Sequence, residues 1–231
     1  WSCLLLLGEN NYETINLLLR NYDKISLYDF NFNDILTIIS NKIFNRQTID
    51  KALVDVQSHY DIGNDLYTRM LDKNMQYTCG FWQDTNDLDT AQLQKMKIIG
   101  QKLNLKQGDT LLDIGCGWGY LINFLSKEYN VKGIGITLSE EQLSYAKDKF
   151  KDNKNADYQL MDYRNIPKDM KFNKIVSVGM LEHVGAKNYK EYFDVVNNHL
   201  EPNGLALIHT IGRQSKKMIT TTGNGPFIDK Y

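Results

Sequence analysis

The stretch "LLDIGCGWGYL" at residues 111–121 constrains the fold of this chain more than any other segment. It begins as an apolar, strand-like run that ends at Asp113 and then places Gly115, Gly117 and Gly119 at alternate positions. Glycines between a strand and a following helix allow backbone N–H groups and the helix N-terminus to approach a ligand closely. The segment therefore predicts the strand, loop and helix that hold an adenine-containing cofactor in an α/β domain.

The spacing of the glycines distinguishes between two classes of cofactor. Dinucleotide-binding loops have the pattern G-x-G-x-x-G, whereas this loop has G-x-G-x-G, with Tyr120 where the last dinucleotide glycine would stand. Together with Asp113 before it and Cys116 within it, the loop resembles the first motif of S-adenosylmethionine (SAM)-dependent methyltransferases. Their cofactor carries an amino-acid tail and no pyrophosphate, so the spacing favours SAM over NAD.

Strand-like and helix-like segments alternate after this loop. Strands are predicted at 110–114, 131–137, 157–160, 174–178 and 205–209. Helices are predicted at 89–103, 120–129, 140–151 and 188–200. This alternation predicts an α/β protein with a doubly wound, mostly parallel sheet, the Rossmann-like fold of class I SAM-dependent methyltransferases.

Two of these helices have recognisable apolar faces, which should pack on the sheet. The face of the helix over 89–103 consists of Leu93, Met96, Ile99 and Leu103. The face of the helix over 188–200 consists of Tyr189, Phe193, Val196 and Leu200.

Residues at the ends of the second and third strands are further candidates for cofactor binding. Thr137 and Gln142 could reach the ribose or the methionine tail of SAM, although Ser139 and Gln142 also have the spacing of a helix capping box. Asp162 and Tyr163 follow the third strand, where the edge of the adenine would lie. An acid at that position is also a common turn residue.

Charge, hydropathy and cysteine content exclude several classes of function. The 27 Lys and Arg residues nearly balance the 28 Asp and Glu residues, so no strong field would attract nucleic acid. No apolar run approaches the ~20 residues that span a bilayer. The three cysteines are widely spaced, which indicates neither a disulfide framework nor a metal site and favours the cytoplasm.

The segment 59–212 resembles the cyclopropane-fatty-acyl-phospholipid synthases and the related mycolic acid cyclopropane synthases. The motifs that carry this resemblance are, in order, "HYDIGNDLY", "MQYTCGFW", "LDIGCGWG", "GITLSEEQ", "MDYRNI", "IVSVGMLEHVG" and "LIHTIG". The resemblance implies that a cis double bond of an unsaturated phospholipid acyl chain attacks the methyl group of SAM. A carbocation results, and loss of a proton to bound bicarbonate closes a cyclopropane ring.

The resemblance also implies roles for individual residues. Glu182, His209 and the backbone of Ile211 would hold bicarbonate, together with Cys79, which would contribute through its backbone more than its thiol. The family's SAM contact corresponds to Tyr77 and Thr78. Considered singly, some of these residues have ordinary alternatives: a solvated acid for Glu182, a satisfied core histidine for His209 and a small buried apolar residue for Cys79. The aromatic cluster of Tyr77, Phe81 and Trp82 could line the site or belong to the core.

The family comparison also predicts how the chain is organised. We expect residues 1–48 to be the remnant of a small, mainly helical N-terminal domain with its linker, and residues 49–231 to be the catalytic domain. The chain begins on Trp1, and its five predicted strands are fewer than a complete methyltransferase sheet contains. The sequence therefore predicts a piece truncated at both ends that is inactive by itself.

The substrate implied by the resemblance predicts a cytoplasmic protein that associates peripherally with the inner face of the cell membrane. Whether it forms a homodimer is left open. Two rival functions remain at this point: a SAM-dependent methyltransferase acting on nitrogen or oxygen of a small molecule, and a non-catalytic remnant.

Overall fold

The computed structural model describes residues 64–212. In chain order the elements are α1 (Asn64–Met70), α2 (Leu88–Lys102), β1 (Thr110–Ile114), α3 (Tyr120–Glu128), β2 (Lys132–Thr137), α4 (Glu140–Lys149), β3 (Ala156–Leu160), β4 (Phe172–Val178), α5 (Leu181–Val184), α6 (Tyr189–His199) and β5 (Leu200–His209). Short 3₁₀ helices lie at Tyr163–Asn165 and Ala186–Asn188. The predicted domain boundary at residue 48 lies outside the described residues. No helix within 64–212 is long and apolar enough to cross a membrane.

The five described strands form one sheet in which every pairing is parallel. Their order is β3-β2-β1-β4-β5, so β1 lies at the centre. Asp113 pairs with Gly135 of β2 on one side and with Val176 of β4 on the other. The chain therefore winds outward from β1 in both directions, which confirms the predicted doubly wound architecture. Ligands bind such sheets at the carboxyl ends of the strands, where the winding direction reverses.

Consecutive residues of β1 belong to hydrophobic clusters on opposite faces of the sheet. Leu111 packs with Met96 of α2 and Ile122 of α3, whereas Leu112 packs with Tyr192 and other residues of the opposite layer. Because strand side chains alternate between the two faces, this run of apolar residues requires helices on both sides. Burial on both faces fixes β1, and with it the start of the glycine loop.

The buried face of α6 differs from the prediction. Val196 is buried as expected, but its buried partners are Tyr192 and His199, while 38% of Tyr189 and 47% of Phe193 is exposed. The apolar residues of this helix form two overlapping stripes at helical spacing, and both include Val196. The stripe that contains Tyr192 is the buried one, because the ring of Tyr192 packs edge-to-face on Tyr163, with ring centroids 5.2 Å apart. Sequence periodicity cannot choose between overlapping stripes of this kind.

The strand ends agree closely with the sequence prediction except in β5. This strand begins at Leu200, not at residue 205, and its pairing with β4 is irregular between Phe172 and Lys174. Pro202 and Gly204 lie in this early part and are poor strand formers, so the sequence pattern misses it. The carboxyl end at His209 is as predicted.

A prediction for stability follows from the close packing of β2 against α3. A Cβ atom at Gly133 would lie 2.6 Å from Cγ1 of Ile122, a side chain that is fully buried. We expect Gly133→Ala to lower the free energy of unfolding by about 1–3 kcal/mol, the usual cost of overpacking a core. Chemical denaturation of the complete gene product measures this change. Lys132→Ala, at the exposed neighbouring position, is the control and should change stability by no more than about 0.5 kcal/mol; equal stability of the two variants would contradict the prediction.

Candidate functional site

The glycine loop is fastened to β2 by its own backbone. The N–H groups of Gly115 and Cys116 both donate to the carbonyl of Ile136, at 3.0 and 2.9 Å. The central glycine, Gly117, has a φ of +54° and open space where a Cβ atom would stand, and its N–H donates no backbone hydrogen bond within residues 64–212. The middle of the loop is therefore where a ligand can approach the backbone most closely.

Cys116 fills space inside the loop. Its side chain is buried, and a Cβ atom at Gly135 would lie 2.8 Å from its Cβ. Burial raises the pKa of its thiol well above the ordinary value. Its contribution to the site is therefore the shape of the loop and not thiol chemistry.

Asp113 ends β1 just before the loop and carries an unusual carboxyl group. Only 1% of the residue is exposed, and its Oδ2 atom has no hydrogen-bond partner within the described residues. Burial raises its pKa to about 7. An unpartnered carboxylate oxygen beside a glycine loop suits a ligand with donor groups and positive charge, and the ammonium end of SAM has both.

Thr137 and Gln142 are joined at the carboxyl end of β2. The hydroxyl of Thr137 donates to Oε1 of Gln142 at 2.9 Å, and both residues are buried. Ser139 caps α4, since its hydroxyl oxygen accepts from the Gln142 N–H at 3.2 Å. The capping interpretation is thus confirmed for Ser139, but the box is not reciprocal because the Gln142 side chain turns to Thr137. Its amide NH₂ is the group left to donate to a ligand.

Asp162 lies at the same edge but is engaged locally. The adjacent Met161 N–H donates to the carbonyl of Thr137 at 3.0 Å, which brings the end of β3 to the end of β2. Both carboxylate oxygens of Asp162 accept from the Arg164 guanidinium, each at 2.8 Å. Asp162 therefore has the turn role that the sequence left open, and its predicted contact with adenine stays a prediction. Tyr163 is buried and packs on Tyr192.

The ends of β4 and β5 bring three predicted site residues together. The Ile211 N–H donates to Oε1 of Glu182 at 2.7 Å. The Gly179 N–H donates to the carbonyl of His209 at 3.0 Å, and the His209 Nδ1 is buried without a partner in the described part of the chain. Glu182 is thus an exposed acid held by a specific backbone donor, and His209 is not a satisfied core histidine.

The segment 76–79 lies beside this cluster. A Cβ atom at Gly179 would lie 2.5 Å from Cγ2 of Thr78, so these two residues are in direct contact. Cys79 is exposed, and the interpretation of this residue as a small buried apolar side chain is wrong. The segment runs over the strand ends and not through the core, which keeps the thiol in solvent.

The aromatic residues that surround this segment are also at the surface. The exposed fractions are 48% for Tyr77, 42% for Phe81 and 53% for Trp82, so their assignment to the core is wrong. The ring of Tyr77 packs edge-to-face on the buried Tyr67 of α1, with centroids 5.6 Å apart. Large apolar groups exposed this close to a candidate site indicate a surface that contacts something else.

Sequence reasoning missed the polar anchors beneath the segment. Gln92 and Lys95 of α2 are 3% and 6% exposed. Gln92 Nε2 donates to the Thr78 carbonyl at 2.7 Å, and Lys95 Nζ donates to the Thr78 hydroxyl at 2.6 Å. A signal in the sequence could have found them, because Gln92 and Lys95 fall at helical spacing with the apolar Met96 and Ile99. A polar group on a buried face needs a hydrogen-bond partner.

The two halves of the site meet at the glycine loop. A Cβ atom at Gly115 would lie 2.9 Å from Cγ of Met180, two residues before Glu182. The glycine loop therefore contacts the segment after β4 that leads to Glu182. Within residues 64–212 no group of His, Cys, Asp and Glu could hold a metal ion. The arrangement can hold a nucleoside cofactor on one side and position charged groups beside it on the other.

Comparison with solved structures identifies the class to which this fold and site belong. A mycolic acid cyclopropane synthase, CmaA1, solved in complex with SAH and CTAB, superposes with a TM-score of 0.64 and 31% sequence identity. The match covers 68% of this chain and 55% of the synthase chain. The fold is that of the SAM-dependent methyltransferases.

The sequence identifies the family within that class. Residues 47–231 match the mycolic acid cyclopropane synthetase family, and the chain belongs to it. The cyclopropane-fatty-acyl-phospholipid synthase of Escherichia coli K12 is 46% identical over 200 residues, which are 87% of this chain and 50% of that protein. A probable fatty acid methyltransferase of Pseudomonas putida is 40% identical over 76% of this chain and 46% of that protein. The chain thus spans about half the length of these relatives.

The buried carboxyl of Asp113 predicts how stability depends on pH. Its folded pKa is about 7, whereas an unfolded Asp titrates near ~4, so the folded state binds more protons between these values and its stability falls as pH rises. We expect Asp113→Asn to remove this fall, so that the variant gains stability relative to wild type as pH rises from about 5 to 8.

Thermal unfolding of the complete gene product without SAM measures the effect. Asp148→Asn, at an exposed position of α4, is the control and should follow the wild-type profile. If instead the wild type gained stability relative to Asp113→Asn as pH rises over this range, the carboxyl would be shown to be satisfied in the folded protein.

Proposed function

We propose that the protein transfers a methylene group from SAM to a cis double bond of an unsaturated phospholipid acyl chain and so forms a cyclopropane ring. Membership in the mycolic acid cyclopropane synthetase family supports this reaction, as does 46% identity to a cyclopropane-fatty-acyl-phospholipid synthase. The observation that carries it is the hydrogen bond from the Ile211 N–H to Glu182 Oε1, at 2.7 Å, which joins the segment after β4 to the residues that follow His209 at the end of β5.

The residues that would hold SAM lie at the ends of the first three strands. Gly115, Gly117 and Gly119 shape the loop, and Asp113 offers a carboxylate oxygen that no group in the described part of the chain contacts by a hydrogen bond. Further contacts would come from Tyr77, Thr78, Thr137, Gln142, Asp162 and Tyr163. Bound SAM supplies an electrophilic methyl group. The task of the chain is to orient that methyl toward the alkene and to keep water from the cation that forms on the lipid.

The residues that would hold bicarbonate lie at the ends of β4 and β5. His209 Nδ1 is buried and has no hydrogen-bond partner between residues 64 and 212. Cys79 lies next to Thr78, and the Ile211 N–H donates to Glu182 at 2.7 Å. Bicarbonate supplies a base for the proton lost at ring closure. The Ile211 N–H group can donate one strong hydrogen bond at a time. Bound bicarbonate would therefore accept this hydrogen bond in place of Glu182. The carboxylate of Glu182 would then orient the bicarbonate hydroxyl.

The charge of Glu182 also favours the cation formed on the lipid. A carboxylate at 4 Å contributes ~4 kcal/mol at an effective dielectric constant of 20. An alkene is a weak nucleophile, so stabilisation of the developing positive charge lowers the main barrier of the reaction. Exposed aromatic rings such as Tyr77 could add about 0.5–2 kcal/mol each where they face the cation.

The proposed partner is unsaturated phospholipid at the surface of a membrane. Tyr77, Phe81 and Trp82 expose large rings beside the site, and aromatic side chains favour the membrane interface because they combine an apolar body with polar edges. Peripheral association with the inner face of the cell membrane would deliver the acyl chain to Glu182 and His209 without a spanning segment.

A second candidate reaction is transfer of a methyl group to the lipid without ring closure. The relative from Pseudomonas putida is named a probable fatty acid methyltransferase. Such a reaction would use the same cofactor and the same acyl chain, but the proton would leave so as to restore a double bond. Methylation of nitrogen or oxygen in a small molecule has less support, because it requires no cluster like that of Glu182, His209 and Ile211.

Expression of the complete gene in bacteria that make unsaturated but ring-free phospholipids tests the proposal. Mass spectrometry should show acyl chains heavier by one CH₂, and these chains should resist ozonolysis because the double bond is gone. Chains that are heavier yet still cleaved by ozone would establish methylation without a ring. Unchanged lipids from a protein that binds SAM would contradict both lipid reactions and favour the small-molecule methyltransferase.

The contact between Glu182 and Ile211 predicts the effect of Glu182→Gln in the complete gene product. Gln keeps the size and can still accept from Ile211, but it lacks the charge that would act on bicarbonate and on the cation. We expect SAM affinity to change less than about two-fold and ring formation to fall by about 100- to 10,000-fold. Calorimetry and turnover with lipid vesicles measure the two quantities.

Glu128→Gln, at an exposed position of α3 away from the strand ends, is the matched control and should leave both quantities unchanged. Normal turnover of Glu182→Gln would show that the acid has no part in the reaction.

A further inference from the structure

Thr78 is held at three of its atoms by residues outside its own segment. Its carbonyl accepts from Gln92 Nε2 at 2.7 Å, and its hydroxyl oxygen accepts from Lys95 Nζ at 2.6 Å. Its methyl group contacts Gly179, where a Cβ atom would approach to 2.5 Å. Thr78 therefore bridges α2 and the end of β4, and its side-chain rotamer is fixed by its surroundings.

The partner of the Thr78 hydroxyl decides where the hydroxyl proton points. An ammonium group can only donate, so Lys95 takes a lone pair of Thr78 Oγ1 and leaves the O–H group directed elsewhere. A hydroxyl that accepts from a cation is also a stronger donor, because the two hydrogen bonds polarise each other. The hydrogen bonds of the described residues include none in which this hydroxyl donates.

Burial of the Lys95 ammonium costs free energy, because the charge loses its contact with water. The residue is 6% exposed, and burial lowers its pKa to about 8 although Asp72 and Cys79 counteract this shift. Asp72 raises the pKa of Lys95 through its charge, but no ion pair joins the two in the part of the chain that the structure describes. The two carboxylate oxygens of Asp72 accept from the backbone N–H groups of Gln76 and Asn74, at 2.7 and 2.9 Å. The ammonium is thus a positive charge beneath the segment that ends at Cys79.

We propose that Lys95 is a positioning residue that fixes the Thr78 hydroxyl as a donor to an anionic oxygen of the bound ligand. This inference rests on the proposed function, in which Thr78 contacts SAM and Cys79 lies at the bicarbonate site. The ligand group is a carboxylate or carbonate oxygen, and it can come from the methionine tail of SAM or from bicarbonate. Lys95 touches neither and acts through Thr78.

The test uses the complete gene product with three single substitutions and the double variant that combines Lys95→Met with Thr78→Val. Lys95→Met keeps the apolar stem and removes the donor and the charge. Thr78→Val keeps the shape and removes the hydroxyl. Lys97→Met, at an exposed position of the same helix, is the matched control. SAM affinity is measured by calorimetry, and the bicarbonate concentration for half-maximal ring formation is measured by turnover.

We expect Lys95→Met and Thr78→Val each to weaken the binding of SAM or of bicarbonate at least ten-fold. The double variant should bind that ligand no more weakly than either single variant does. Loss of SAM affinity identifies the methionine carboxylate as the acceptor, and a raised bicarbonate requirement identifies bicarbonate. Lys97→Met should match the wild type. Non-additivity separates positioning from packing, because a merely structural role of Lys95 would add its loss to that of Thr78.

The pH profile provides a second readout. The ligand measured is the one, SAM or bicarbonate, whose binding the substitutions weaken. As pH rises from about 7 to 9 the wild type should lose more affinity for this ligand than Lys95→Met does, because Lys95 is charged below its pKa of about 8 and neutral above it. The two nearby titratable groups, Asp72 and Cys79, are present in both proteins, so the difference between the profiles reports Lys95.

Three outcomes overturn the inference, and none is confused with failure of the proposed function. If Thr78→Val weakens binding but Lys95→Met does not, or if their losses add, Lys95 has no positioning role. If Thr78→Val itself binds both ligands normally, Thr78 is not a ligand contact. Ring formation by the wild type, read from lipid mass spectra, tests the proposed function separately.

Discussion

The parallel pairing of β1 with both β2 and β4 is the constraint on which the rest of the structure depends. Strands are added on one side of β1 up to β3 and on the other side from β4 onward. The loops that leave β1 and β4 therefore lie side by side at the carboxyl ends of the strands. The contact between Gly115 and Met180 is a direct result. A glycine loop for the cofactor and an acidic segment for the chemistry, far apart in the sequence, thereby become neighbours.

Charge organises the rest of the site. Asp113 and Glu182 are acids at adjacent strand ends. Asp113 is buried, with one oxygen that has no partner within the residues that the structure describes, and Glu182 is held by a backbone N–H group. Lys95 of α2 carries a positive charge and donates a hydrogen bond to the Thr78 hydroxyl. In the proposed reaction a cationic cofactor, an anionic base and a transient cation must coexist, and fixed charges of both signs can stabilise each of them without solvent reorganisation.

The agreement between sequence and structure is uneven for physical reasons. The five strands and the glycine loop follow from apolar runs and from glycine spacing, which are local properties, and β1 is predicted to the residue. The face of α6 and the start of β5 are wrong because overlapping apolar stripes and an irregular pairing are resolved only by neighbours in space. Cys79 is exposed because its segment crosses the strand ends, which composition does not reveal.

The sequence by itself determined the order of strands and helices, the class of cofactor that the loop suits and the family to which the chain belongs, since each of these is recorded in short motifs. Only the tertiary structure decided that Ile211 donates to Glu182, that His209 Nδ1 is buried without a partner among the described residues, and that Lys95 supports Thr78. The two hydrogen bonds among these join residues 29 and 17 positions apart along the chain. Their geometry depends on how the sheet brings loops together, and no local pattern contains that information.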